Sequence, residues 1–165
     1  MPRIICNATA TCWRPLMSSK TAEVVMQVAD IPEGYQPLSR PSNFNTLCGP
    51  YFEKVENGVH IGLGLRIEGK HLNQRDITHG GMLMALADNA MGDILARAYD
   101  YKFGVVTVSM NSDFLKPAAI GDWVEARPVV HRNGKTLAFA ECPLYVNDTL
   151  IFRANGVFAV VERRG

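Results

Sequence analysis

The order of hydrophobic and polar residues predicts a hairpin, one long helix and then several strands. The first two strands are Tyr51–Glu56 and Val59–Ile67, and the Asn57-Gly58 pair between them favours the tight turn of a two-residue hairpin. After a polar break, Gly80–Tyr99 is rich in Ala, Leu and Met, which are good helix formers. The pattern therefore changes from strand to helix near residue 80.

The second half of the chain predicts strands joined by short connections. In Val106–Asn111, the apolar side chains of Val106, Val108 and Met110 alternate with polar ones, which indicates a half-buried strand. Three further strands are predicted, with turns at Asn133-Gly134 and Asn147-Asp148 between them: Asp122–His131, Lys135–Val146 and Leu150–Val161. An antiparallel sheet packed on one principal helix, an α+β fold, satisfies this order.

The predicted helix is apolar nearly all round. Apart from Asp88, its polar residues are Asn89, Asp93 and Arg97, whose four-residue spacing places them in one narrow stripe. Such a helix is typical of a buried element, so we expect the sheet to wrap around it. Asp88 lies on the apolar face, where a carboxylate is costly unless it is paired, hydrogen-bonded or functional. A structural and a catalytic role both remain open at this point.

The N-terminal third does not follow the same pattern. We predict that residues 1–48 form a tail and an irregular segment with a short helix at Thr21–Gln27, and that residues 49–165 form one domain. The stretch Ile31–Pro50 carries several Pro and Gly residues and is expected to be coil over a surface. If Met17 is the true start, the preceding residues are only an extension.

Composition excludes several classes of protein. The net charge of +1 predicts no nucleic-acid or anionic-membrane partner, and no apolar run approaches the ~20 residues of a transmembrane helix. The four cysteines have no CxxC spacing, so neither a zinc site nor a disulfide framework is predicted. Free thiols favour a reducing compartment, and the cytoplasm is the expected location.

The segment Thr78–Gly81 opens the helix with two consecutive glycines. A helix N-terminus presents unpaired N–H groups with a partial positive charge, and glycine allows close approach to them. Such a site can stabilise the oxyanion that forms when a carbonyl is attacked. Alternatively, the glycines only permit a tight entry turn, with Thr78 as the N-cap.

These residues resemble the signature of the phenylacetate-pathway-type (PaaI-like) hotdog thioesterases. The resemblance lies in the run Asn73–Gly81 with Asp88 nine positions after His79, and it covers roughly Gly49–Val161. It continues through Val106–Asn111, Phe114–Pro117 and Gly134–Ala138. The resemblance implies a hotdog fold, in which an antiparallel sheet wraps one long helix, and hydrolysis of an acyl-CoA to the free acid and CoA.

The resemblance also implies roles for particular residues. Asp88 would be the general base or the nucleophile, Asn73 would orient the water or the carbonyl, and the Gly80 amide would form the oxyanion hole. Thr107 matches a position where a hydroxyl assists the water, and His79 would have a positioning or polarising role. A base, an orienting group and fixed donors suffice for this chemistry, so no metal and no cofactor other than the CoA of the substrate is expected.

Candidate substrate-binding residues lie around the helix and near predicted strand ends. Gly81 is a candidate for binding the substrate or its CoA, Met84 and Met91 for the acyl part, and Lys116, Arg132 and Lys135 for the phosphates of CoA. Flexible Met side chains suit several shapes, which leaves aromatic and medium-chain acyl groups open. The basic residues, being at turns, are also explained by solubility alone.

Assembly and two alternative functions follow from the same resemblance. It implies a homodimer whose active sites combine the helix of one subunit with loops of the other, or a tetramer of two such dimers. One alternative is a non-catalytic acyl-CoA-binding hotdog protein, and another is a hotdog hydratase. The presence of both Asp88 and Asn73 favours hydrolysis over binding alone.

Overall fold

The computed structural model describes residues 31–162, in which an eight-stranded antiparallel sheet curves around one long helix. The strands are β1 (Tyr35–Pro37), β2 (Tyr51–Glu56), β3 (Val59–Arg66), β4 (Phe103–Phe114), β5 (Trp123–Ala126), β6 (Val129–Asn133), β7 (Leu137–Val146) and β8 (Thr149–Glu162). The helices are α1 (Asn43–Cys48) and α2 (Gly80–Ala98), and a short 3-10 turn spans Gly69–His71. The sheet order is β1-β2-β3-β5-β7-β8-β4, with β6 paired to β7. The predicted hotdog architecture is confirmed.

Two of the three predicted tight turns have the expected backbone. Asn57 and Gly58 have φ angles of 51° and 77°, and Asn147 and Asp148 have φ angles of 47° and 60°, as type I′ hairpin turns require. The turn predicted at Asn133-Gly134 is wrong. Asn133 belongs to β6, and residues 134–136 form a wider connection that is closed by the hydrogen bond from the Gly134 amide to the Leu137 carbonyl, 3.1 Å long.

The strand predicted at Asp122–His131 is two strands, β5 and β6. Pro128 lies between them and has no amide N–H with which to continue a ladder. At this break the Arg127 amide donates to the Pro143 carbonyl at 3.1 Å, so the chain stays beside β7 and keeps the same pairing register in β6 up to Val130.

The expectation of irregular coil at Ile31–Pro50 is wrong, because β1 and α1 lie there. Strand β1 pairs with β2, and α1 begins with a capping box in which Ser42 and Asn45 each accept a hydrogen bond from the other's amide. Both elements are short and depend on partners further along the chain. The helix predicted at Thr21–Gln27 lies outside the described residues, and the division at residue 48 stays a prediction.

The core fills the space between α2 and the curved sheet. Helix α2 packs against the strands from β3 to β8. It buries seven apolar side chains: Met82, Leu83, Leu86, Ala87, Ala90, Met91 and Leu95. Opposite them, the sheet contributes fully buried residues that include Leu65, Val124, Leu144, Phe152 and Phe158. Burial of each large side chain stabilises the fold by roughly 1.5–3 kcal/mol. In residues 31–162, no helix is long and apolar enough to cross a membrane.

The polar stripe of α2 also faces protein. The Asn45 side-chain amide donates to Asn89 Oδ1 at 2.7 Å, which ties α1 to α2. Arg97 donates from Nε to Asp93 at 2.9 Å and from its terminal nitrogen to Glu53 of β2 at 2.7 Å. Each residue of the stripe therefore has a polar partner.

Burial and pairing act in opposite directions on the carboxyl of Glu53. Burial alone raises its pKa, but the hydrogen bond from Gln36 and the charge and hydrogen bond of Arg97 together hold the pKa below its usual value. Nearby, burial lowers the pKa of His60, whose Nε2 lies 3.0 Å from Asp93 Oδ2. Glu53 is therefore an anion that depends on Arg97.

Replacing Arg97 with Met should leave this anion without its cation. The Glu53 side chain is 4% exposed and that of Arg97 is 28% exposed, so we expect Arg97→Met to lower the free energy of unfolding by about 2–4 kcal/mol. Urea denaturation measures this change. The control is Arg153→Met, whose pair with Asp113 is exposed and contributes at most about 1 kcal/mol. Equal losses in the two variants would contradict the expectation.

Candidate active site

Strand β4 contains a β-bulge next to Thr107, whose side chain faces the helix. Its pairing with β8 shifts register directly after Thr107. Val105 and Met110 pack against the core, whereas Val106 and Val108 are 54% and 60% exposed. The predicted buried face containing Val106, Val108 and Met110 is therefore wrong. Because the bulge adds one residue after Thr107, Met110 points to the opposite side of the strand from Val106.

Two of the predicted site residues, Asp88 and Thr107, meet beside this bulge. The Thr107 hydroxyl donates to Asp88 Oδ1 at 2.7 Å, and Asp88 is half-buried. Among residues 31–162, no other side chain forms a hydrogen bond or ion pair with this carboxylate. One oxygen is thus held by the hydroxyl, and the other is available to accept a proton from a water molecule.

A cavity of about 340 Å³ opens beside this pair. On α2 its wall includes three residues one turn apart, Asp88, Gly92 and Ala96, and Thr107 faces them from β4. Asn89 and Asp93 of the polar stripe also line it. In the described residues, neither Met84 nor Met91 reaches it: Met91 is fully buried in the core and Met84 packs against that core. The role of these two methionines in substrate binding stays a prediction.

The start of α2 leaves one backbone amide unused. His79 is the N-cap, and its Nδ1 accepts a hydrogen bond of 2.9 Å from the Gly81 amide. Thr78, considered above as the N-cap, instead donates through its hydroxyl to the Ala118 carbonyl at 2.8 Å. No group in the described part of the chain accepts from the Gly80 amide. This N–H is therefore available to an oxyanion.

Asn73 lies in the loop that leads to this helix start. Its side-chain oxygen accepts a hydrogen bond of 2.8 Å from the Arg75 backbone amide. Its own backbone N–H donates to the Ile77 carbonyl at 2.8 Å. The carboxamide oxygen is thus committed to the turn. The side-chain NH₂ has no partner among the described residues and can still donate.

His71, which was not identified from the sequence, anchors the same loop. Its Nδ1 accepts from the Glu68 amide at 3.0 Å, so Nε2 carries the proton and donates to the Cys48 carbonyl at 2.9 Å. Its carbonyl accepts from the His79 amide at 2.8 Å. Burial lowers the pKa of His71, which keeps the ring neutral and this tautomer fixed.

The two chemical groups lie far apart within one chain. Asp88 follows Gly80 by eight residues on α2, which corresponds to about 12 Å along the helix axis. A general base and an oxyanion donor must each lie within roughly 3 Å of the atoms on which they act. A single copy therefore does not bring Asn73, His79 and Gly80 to the carboxylate of Asp88.

The predicted phosphate-binding cations are also dispersed. Lys116 follows β4, whose last residue contacts the start of α2. Arg132 and Lys135 lie at the opposite end of α2, where the Tyr99 hydroxyl donates to the Gly134 carbonyl at 2.6 Å. All three cations are exposed, as is Gly81. Between residues 31 and 162, no group of three or more His, Cys, Asp or Glu side chains is arranged to hold a metal ion.

Comparison with known proteins shows which family and which relatives this chain is similar to. The sequence profile of the thioesterase superfamily matches residues 76–151. A Pseudomonas aeruginosa protein named "Putative esterase" is 37% identical over 78% of this chain and 96% of its own length. Human acyl-coenzyme A thioesterase 13 is 32% identical over 68% of this chain and 79% of its own length. A variant of the phenylacetic acid degradation protein PaaI from Thermus thermophilus shares the fold, with a TM-score of 0.61, 24% identity and coverage of 72% of this chain and 98% of that one.

The capping role of His79 can be separated from a chemical role. His79→Ala removes the acceptor for the Gly81 amide, and we expect the free energy of unfolding to fall by about 1 kcal/mol. His79→Ser supplies another N-cap acceptor and should recover most of that loss, as measured by urea denaturation. If the alanine variant is as stable as the wild type, the ring does not cap the helix. If His79→Ser recovers stability but loses turnover, the ring acts in the chemistry.

Proposed function

Because the chain belongs to the thioesterase superfamily of hotdog proteins and is a thioester hydrolase, we propose that it converts an aromatic or medium-chain acyl-CoA to the free acid and CoA. The observation that carries this proposal is the hydrogen-bonded pair of Asp88 and Thr107 beside the cavity. The name of the human relative supports CoA as the carrier of the acyl group.

Asp88 acts on the water in this proposal. Its free oxygen takes a proton as the water oxygen attacks the thioester carbon, while Thr107 holds the other oxygen in place. The carbonyl oxygen becomes an oxyanion and accepts from the Gly80 amide, and the Asn73 NH₂ orients the water or the carbonyl. Collapse of the intermediate breaks the carbon–sulfur bond, and the departing CoA thiolate takes the proton that Asp88 received from the water, which restores the carboxylate. Direct attack by the Asp88 carboxylate is the other form of this step.

Because Asp88 and Gly80 of one copy are separated by about 12 Å, we infer that the active site forms between two copies in a homodimer. Asp88 and Thr107 of one copy would meet Asn73, His79 and Gly80 of the other. Strand β4 supports this arrangement, since it is a 12-residue strand at the end of the sheet order and exposes Val106 and Val108. A long apolar edge strand pairs readily with another chain. Two such dimers would form the tetramer.

The CoA phosphates would bind the exposed cations near the site. Lys116 lies at the helix-start end of one copy, and Arg132 and Lys135 lie at the opposite end of α2. A dimer that brings the helix start of one copy to Asp88 of the other would draw on cations of both copies. The pantetheine arm would then reach the cavity with the thioester beside Asp88.

Release of free thiol from an acyl-CoA panel tests the activity and its base. We expect turnover of aromatic or medium-chain substrates, and we expect Asp88→Asn to lower kcat by about 10²–10⁴-fold. The matched control is Asp148→Asn, an exposed turn residue whose replacement should leave turnover unchanged. Binding of acyl-CoA without any turnover would favour the non-catalytic alternative. A folded Asp88→Asn variant with full activity would remove Asp88 from the mechanism.

Subunit mixing tests the shared site. Asp88→Asn and Gly80→Val should each be inactive alone. Random mixing during co-expression gives about half heterodimers, each with one intact site, so about a quarter of wild-type turnover should return. Native mass spectrometry confirms that heterodimers form. Heterodimers without recovered turnover would place the whole site within one copy.

A further inference from the structure

The cavity beside Asp88 runs along α2 toward its C-terminal end. Asp88, Gly92 and Ala96 line it from one face of the helix, over eight residues or about 12 Å. The far end lies near Tyr101, whose amide donates to the Ala96 carbonyl at 2.9 Å. Arg40, which also lines the cavity, stacks over the Tyr101 ring at 4.9 Å. Asp88 and Arg40 therefore mark opposite ends of one channel.

Gly92 keeps the middle of this channel open. Glycine is a poor helix former, yet Gly92 lies in the interior of a 19-residue helix. A Cβ atom added there would meet no other atom within 4 Å, so packing within the described chain does not require glycine. Its lack of a side chain instead leaves space between Asp88 and Ala96 that a ligand can occupy.

Arg40 is the cation in this wall, and no other described residue takes up its hydrogen-bond donors. Among the described residues it forms no ion pair or hydrogen bond, and its guanidinium is placed only by the Tyr101 ring. The other polar residues of the wall are engaged: Asn45 bonds to Asn89 at 2.7 Å, and Asp93 is paired with Arg97. Arg40 is thus the group in this wall that can bind an anion.

The backbone of the turn after α2 places the ring that supports Arg40. Asp100 and Tyr101 both have left-handed conformations, with φ angles of 51° and 56°. Such angles are uncommon for a residue as bulky as tyrosine, and unfavourable backbone of this kind is concentrated at functional sites. The same ring lies 5.9 Å from the Arg97 guanidinium. The turn therefore holds an aromatic face against two guanidinium groups.

We propose that Arg40 determines specificity by binding an anionic group of the thioester at the end of the channel away from Asp88. The ligand class that fits best is an acyl-CoA whose acyl chain ends in a second, free carboxylate. Guanidinium binds carboxylate through paired, charge-assisted hydrogen bonds, and the phosphates of CoA offer the same chemistry. This inference rests on the proposed function, which places the reacting carbonyl at Asp88.

The test compares adipyl-CoA, which carries a terminal carboxylate, with hexanoyl-CoA, which has the same chain length and no charge. Arg40→Gln should lower kcat/KM for adipyl-CoA by about tenfold or more and change that for hexanoyl-CoA by less than about twofold. The control is Arg153→Gln, an exposed arginine outside this cavity, which should change neither value. Gly92→Leu fills the channel and should lower kcat/KM for both substrates.

A second pair of substrates identifies the source of the anion. Pantetheine thioesters of the same two acyl chains carry no phosphate. Arg40→Gln should still lower kcat/KM for the adipyl thioester of pantetheine. If Arg40→Gln lowers kcat/KM equally for both CoA thioesters and for neither pantetheine thioester, Arg40 binds a CoA phosphate and the dicarboxylate assignment is overturned.

Arg40→Gln with wild-type values for all four substrates overturns the inference while leaving the proposed function intact. If the wild type hydrolyses none of them, the proposed function fails. Calorimetric binding of adipyl-CoA and hexanoyl-CoA to the wild type and to Arg40→Gln then decides the role of Arg40: weaker binding of adipyl-CoA alone by the variant supports it, and equal binding overturns it.

Discussion

The structure depends on satisfying a polar stripe on a helix that is otherwise enclosed by apolar side chains. Asn89, Asp93 and Arg97 find their partners in α1 and β2, which precede α2 in the chain. A buried carboxylate or guanidinium without a partner is costly, so these contacts fix the rotation of α2 about its axis. Once the rotation is fixed, the neighbouring face with Asp88, Gly92 and Ala96 is directed at the cavity and at β4.

The N-terminal elements therefore do more than extend the sheet. The connection between β1 and α1 provides Arg40, and α1 provides Asn45, two polar residues of the cavity wall. The loop before α2 is tied to the end of α1 through His71 and the Cys48 carbonyl. The position of the helix start and the shape of the cavity thus both depend on a segment that precedes the matched region of the superfamily profile, residues 76–151.

Patterns in the sequence predicted those elements that are determined by residues close to one another in the chain. The Asn57-Gly58 hairpin and the helix at Gly80 follow from turn chemistry and from residue preferences within a short window. The bulge after Thr107 and strand β1 were missed because they depend on pairing with β8 and β2, and α1 was missed because it depends on contact with Asn89 of α2. The likeness to a known family pointed to Asp88 and Thr107, which the structure places 2.7 Å apart, whereas the roles of the site residues stay predictions. Nothing near Arg40 in the sequence indicates a cavity, since all the other wall residues except Leu38 and Asn45 follow it by 23 to 118 positions.

The side-by-side arrangement of two stripes on α2 limits how this chain can change in length. Consecutive residues of an α-helix point about 100° apart, so Asp88 and Asn89 belong to different faces although they are neighbours in sequence. Inserting one residue between them would turn every later position by that angle relative to Asp88. Asn89, Asp93 and Arg97 could then keep their partners only if Asp88 left Thr107. Side chains along α2 can therefore be exchanged during evolution, but the number of residues in its middle turns cannot.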